Sequence, residues 1–186
     1  MRIEYRRRFG PGAIALLGLL IVTQATTEVR AANMRSFIEA VRRKAAVVYV
    51  GSVKEVRFLE RTKFAIKARA VVTVSAIARG QGSRPAEAMV EYSSYDAKTP
   101  MLAGGPQYQL RPGNMVVIFA DSFQSTIPPG YLLQGSGEAL LERVNALRDS
   151  LKRMSAEDLK RNEIDEQDRQ VQLALYEKLC GHLSGQ

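Results

Sequence analysis

Phe64-Ala65-Ile66-Lys67-Ala68-Arg69-Ala70-Val71-Val72-Thr73-Val74-Ser75 is the stretch whose reading decides the fold. Phe64, Ile66, Ala68, Ala70, Val72 and Val74 alternate with Ala65, Lys67, Arg69, Val71, Thr73 and Ser75. A period of two puts successive side chains on opposite faces of a strand, so the first set is predicted to face a core and most of the second to face water. Lys67 and Arg69 then share one outer face.

Working outward, Val47-Val48-Tyr49-Val50-Gly51-Ser52-Val53 is β-branched and aromatic, as a strand should be. Gly51 in its middle predicts a bulge or a sharp coil. Downstream, Arg79-Gly80-Gln81-Gly82-Ser83-Arg84-Pro85 has the composition of a turn, and Ala86 to Tyr92 that of a third strand. Residues 93–114 form a long Gly-, Pro- and Ser-rich connection with a brief extended segment at Tyr108-Gln109-Leu110. Pro112-Gly113 in it fits a type II turn, and loops of this length are often functional. Met115-Val116-Val117-Ile118-Phe119-Ala120 is an unbroken apolar run, the mark of a buried fourth strand. After a turn at Pro128-Pro129-Gly130, Tyr131-Leu132-Leu133 is a short fifth.

Helices are predicted at both ends. Met34, Phe37, Ile38, Val41 and Ala45 recur at helical spacing behind a capping Asn33. Arg42, Arg43 and Lys44 then close that helix, where positive charge suits its dipole. Leu140, Val144, Leu147, Leu151 and Met154 form a second apolar stripe. Ser155-Ala156-Glu157-Asp158 has the pattern of a capping box, with Asp in place of Glu or Gln. Val171, Leu175, Leu179 and Leu183 form a third stripe. The expected architecture is α+β and mainly β: a five-stranded Greek-key barrel of the OB type, with a short helix before it and helices after it.

The N-terminus predicts an address. Met1 to Arg8 carries four arginines and one glutamate, Ala13 to Val22 is apolar, and Thr23-Gln24-Ala25 ends in a small residue. Basic, apolar and small-polar segments in this order are a secretory layout. The apolar run is too short for a spanning helix, which needs roughly 20 residues. We therefore expect a signal peptide over 1–25, cleaved after Ala25 or alternatively Ala31, and a periplasmic or secreted protein. An uncleaved signal would be its one membrane contact. Cleavage would lower the formal net charge from +8 to +5. Residues 26–136, the barrel segment, carry +7 of this, and the helical segment 137–186 carries −2. That tail is expected either to pack on the barrel or to meet a second copy.

Chemistry is bounded by two counts. One cysteine, Cys180, and one histidine, His182, stand two apart on a helix and so point to different faces. They leave no Cys/His zinc site, no Ser-His-Asp triad within the β region and no internal disulfide. No catalytic residue, cofactor or metal is predicted. A hydrolase using carboxylates alone would draw on Glu87, Glu91, Asp96 and Asp121. Glu87 and Glu91 share a strand face about 13 Å apart, too far for one dyad.

The order Phe37, Ala46-Val47-Val48-Tyr49-Val50-Gly51, Phe64, Val71, Val74, Gly80 and Gly113-Asn114-Met115-Val116-Val117-Ile118 resembles the netrin-like domain of tissue inhibitors of metalloproteinases. The similarity spans residues 37–150. It implies an exported OB-type barrel followed by helices. In that family an N-terminal cysteine chelates the zinc of the target; neither Thr26 nor Ala32 is a cysteine, and the framework disulfides are missing too. The resemblance therefore implies the fold and not the inhibition.

The expected function is a non-enzymatic binding or interaction module, its partner surface drawn from Arg57, Arg61, Lys63, Lys67, Arg69, Tyr92, Tyr95 and Tyr108. The tyrosines could meet a peptide or ligand, or could close the barrel end. The five basic residues could form a stripe for an acidic polysaccharide, or could be ordinary solvated strand faces. Export argues against nucleic acid.

Overall fold

The computed structural model describes residues 38–62, 66–96, 98, 108–127 and 131–185. All belong to one compact unit, Ile38–Gln186. The signal segment, Asn33, Lys63, Phe64 and the turn at Pro128-Pro129-Gly130 lie outside the described residues.

A helix over residues 38–44 (α1) leads into β1 (Val47–Arg61), β2 (Ile66–Arg79), β3 (Glu87–Ser94), β4 (Met115–Ala120), β5 (Gln124–Ile127) and β6 (Leu132–Gly135). Then come α2 (Gly137–Arg153), α3 (Ala156–Arg161) and α4 (Glu166–Ser184). The strands make one curled mixed sheet, a half-barrel, in the order β5-β3-β2-β1-β4-β6. Every pairing is antiparallel except β3 with β5.

Six strands replace the expected five. The addition is β5, whose residues Gln124-Ser125-Thr126-Ile127 carry one buried apolar side chain and no visible alternation. Its pairing with β3, not its composition, makes it a strand. Tyr108-Gln109-Leu110, conversely, joins no ladder; Tyr108 N–H donates to the Ser93 carbonyl at 3.1 Å and the segment crosses the inner face.

Alternation works as predicted along β2. Ile66, Ala68, Ala70, Val72 and Val74 are buried, while Lys67 and Thr73 are exposed. Gly51 sits at a register shift between β1 and β2. A Cβ there would run into the Thr73 carbonyl oxygen and come within 2.6 Å of Val72 Cγ1, so no larger residue fits. Pro112-Gly113 turns as expected: Gly113 has φ +86° and Asn114 N–H donates to the Arg111 carbonyl at 3.0 Å.

Two cores share the sheet. Inside the curl lie Tyr49, Val53, Ala70, Val72, Val90, Tyr92, Val116 and Ile118, with Tyr108 and Leu110. On the opposite face Val48, Val50, Val117, Phe119 and Leu133 pack against Leu140, Val144, Leu151, Leu175, Leu179 and Leu183 of the helices. β4 and the first half of β1 are thus covered on both sides, which is why both read as apolar runs. The helical tail packs on its own sheet.

Each later helix begins at a side-chain cap. Ser136 Oγ accepts from Ala139 N–H, Ser155 Oγ from Asp158 N–H and Asp165 from Asp168 N–H. The expected helix start at Ser155 is found, with the Asp158 carboxylate accepting from the Ser155 hydroxyl at 2.8 Å. The third stripe is shifted: Val171 is 53% exposed, and Gln172 takes its place in the interface. The cause is Arg79. Its guanidinium donates to the Arg43 and Ala45 carbonyls and to Gln172 Oε1 at 3.3 Å, tying α1, β2 and α4 together. A part-buried guanidinium is favoured by such acceptors, and an amide supplies one where valine cannot. Alongside it, Arg42 pairs with Glu39 at 3.1 Å and lies over the Phe119 ring.

Candidate functional site in the outer groove of β2, β3 and β5

Because the helices cover β1 and β4, the outer face of β2, β3 and β5 is the part left to solvent. On β3, Ala88, Val90, Tyr92 and Ser94 turn inward, and Glu87, Met89, Glu91 and Ser93 outward. Register sets Arg69 against Glu91 and Val71 against Met89. β5 lies on the other side, with Met89 beside Gln124 and Glu91 beside Thr126. The result is an open groove of about 290 Å³ lined by Arg69, Met89, Glu91, Gln124, Ser125 and Thr126.

Glu91 is the hub. Arg69 Nη2 donates to its Oε1 at 2.5 Å, and Lys67 Nζ lies 3.0 Å from its Oε2. Arg69, and then Lys67, hold the Glu91 carboxyl below the usual carboxylate value. Carboxylate and guanidinium, with the amide of Gln124 and the hydroxyls of Ser125 and Thr126, surround the half-exposed thioether of Met89. Such a surface offers donors, acceptors and one apolar contact on a rigid sheet. It holds no nucleophile–base pair. Among the described residues, no group of three His, Cys, Asp or Glu side chains could hold a metal ion, and no helix is long and apolar enough to cross a membrane.

The predicted residues separate into three groups. Lys67 and Arg69 reach the groove. Arg57 lies on the outer side of the first hairpin, opposite Arg69, and Arg61, beyond the register shift, lies opposite the inward-facing Ile66; both are ion-paired, Arg57 with Glu55 and Arg61 with Asp96 at 2.5 and 3.1 Å. Lys63 lies outside the described residues. Tyr92 and Tyr108 belong to the inner core, ring edge to ring face at 6.2 Å between centroids. Burial pushes the Tyr92 phenol up to about 12, against a lowering contact from the Leu110 backbone. Tyr95 is half-buried, and its carbonyl accepts from Gln109 Nε2 at 3.0 Å. The tyrosines thus close the inside of the curl.

Met89, Gln124, Ser125 and Thr126 escaped the sequence reading. The one available signal was the polar run Gln124–Thr126 a few residues after a buried strand; nothing local showed that it returns beside β3. Cys180 and His182 are both half-buried, with Cys180 Sγ donating to Asn145 Oδ1 at 3.3 Å. Burial raises the thiol above its ordinary value.

No protein-family model matches the chain, and no curated protein matches it in sequence.

Proposed function

We propose that the protein is an exported, non-enzymatic binding module whose partner seats in the groove of β2, β3 and β5. The observation that carries this is the one-sided covering of the sheet. Helices seal the outer face of β1 and β4, while the neighbouring face is left as a polar concavity on rigid strands. The basic, apolar and small-polar order of residues 1–25 supports export. Strand order supports the OB-type Greek-key reading: β1, β2 and β3 follow one another, β4 returns by a long connection to lie beside β1, and β5 runs parallel to β3. The netrin-like resemblance agrees with that topology and with the helices behind it.

A protein surface is favoured as the partner. Lys67 and Arg69 are both engaged by Glu91, and Arg57 and Arg61 by Glu55 and Asp96, so an incoming polyanion would have to displace carboxylates. A photo-reactive residue at Met89, with a control at Val171 on α4, tests this in whole cells. A discrete adduct from position 89 alone is expected, on a chain whose N-terminus is Thr26 by intact mass. Equal or absent adducts would overturn the site; a chain recovered unprocessed in the cytoplasmic fraction would overturn the export.

An acidic polysaccharide is the second reading. The register in its favour sets Arg57 directly opposite Arg69 on the outer face. Binding to a sulfated or uronic-acid polymer that weakens steeply with salt would support it.

A further inference from the structure

β1 is covered along only half its length. It pairs with β4 from Val47 to Ser52, and Val53 is the last residue tied on that side, donating to the Asn114 carbonyl and accepting from Gly113 N–H, both at 2.8 Å. From residue 54 to residue 60 it pairs with β2 alone among the described residues. That edge carries Lys54-Glu55-Val56-Arg57-Phe58-Leu59-Glu60. Phe58 is 69% exposed and Leu59 41%, the only two adjacent large apolar side chains so exposed among the described residues. An edge bearing unpaired backbone groups and apolar side chains is a template for another strand.

We propose that the chain self-associates through this edge, two copies pairing antiparallel about a two-fold axis. The order Arg57-Phe58-Leu59-Glu60 is complementary to itself when reversed. Arg57, which also pairs with Glu55 of its own chain, then faces the partner's Glu60, Phe58 faces the partner's Leu59, and symmetry repeats both contacts. Residues directly opposed in an antiparallel pair must share a face. The register shift between Phe58 and Glu60 meets that condition: Arg57 lies opposite Arg69 and Glu60 opposite the outward-facing Lys67, so the extra residue, Leu59, brings both charges to one side. Slipping by two residues one way would set Glu55 against the partner's Glu60, and like charges directly opposed are unfavourable. Slipping by two the other way would separate Arg57 from the partner's Glu60 and Phe58 from the partner's Leu59, so the complementary register is favoured over both. The pairing uses the free edge of β1, one strand away from the groove of β2, β3 and β5.

Sedimentation equilibrium of the full chain over a concentration series tests the proposal. The expected result is a reversible two-protomer mass. Glu60→Arg, at an exposed position, should raise the dissociation constant at least about tenfold by opposing arginine to arginine twice. Arg57→Glu alone should do the same. The double exchange Arg57→Glu with Glu60→Arg should recover most of the affinity, and circular dichroism should show all three folded. A single-protomer mass throughout, as a different partner strand or no partner would give, overturns the proposal. So does a dimer indifferent to both single exchanges.

Discussion

The two halves of the sheet are made of similar strands and have opposite fates. β4 is buried on both faces: Val116, Ile118 and Ala120 look into the curl, and Val117 and Phe119 into the helices. β3 is buried on one: Ala88, Val90 and Tyr92 look inward, while Glu87 and Met89 look into water. The helices make the difference. They seal one half and so determine which half is available to a partner. A stable framework and a wet, hydrogen-bonding surface are therefore placed side by side on one sheet, with β2 as the border.

The sharpest way to break the contrast is to cut the sealed half. Phe119→Ala removes a fully buried ring that packs against the helices and lies under Arg42, and should cost about 3–5 kcal/mol of unfolding free energy. Met89→Ala on the open half should stay within about 0.5 kcal/mol. Urea titrations of the two variants check both. If Met89→Ala costs as much as Phe119→Ala, the two halves are not different in kind.

Next in size is Gly51→Ala at the coil of β1. The added methyl meets the Thr73 backbone and Val72 with no room to turn away, so overpacking should cost about 2–3 kcal/mol in the same titration.

The smallest effect belongs to the open half and depends on pH. The folded Glu91 carboxyl titrates below its unfolded value because Arg69 and Lys67 hold it charged. Its stabilisation is therefore present above the ordinary carboxylate value and is lost as pH falls through the lowered folded value. Glu91→Gln should lower stability slightly at neutral pH, since exposed ion pairs contribute little, and leave it unchanged below the carboxylate range, so that the acid limb of the stability–pH curve becomes less steep. Urea midpoints measured from neutral pH down through the carboxylate range would show it. An unchanged acid limb would mean the triad with Lys67 and Arg69 is not formed in solution.

Legibility in the sequence followed periodicity. The strand from Ile66 to Val74, the apolar run of β4, the bulge at Gly51 and the helix start at Ser155 are local patterns with local causes. β5 was illegible because Gln124-Ser125-Thr126 has neither propensity nor alternation; β3 supplies its ladder from more than thirty residues away. Tyr92 and Tyr108 were ambiguous for a related reason. A tyrosine carries an apolar ring and a polar tip, and only the curl of the sheet chose the interior for both. Val171 misled because α4 must give Arg79 an acceptor, a demand that arises on β2.

By itself, then, the sequence determined which segments are strands or helices wherever hydrophobic period and capping chemistry agree, and it determined that the chain carries one cysteine and one histidine. Only the tertiary structure decided which face of each strand is sealed, that Glu91 neutralises Lys67 and Arg69, and that a polar run becomes the wall of a groove. Periodicity is a property of neighbours along the chain. Burial, ion pairing and concavity are properties of neighbours in space, fixed when the helices settle on one half of the sheet and leave the other open.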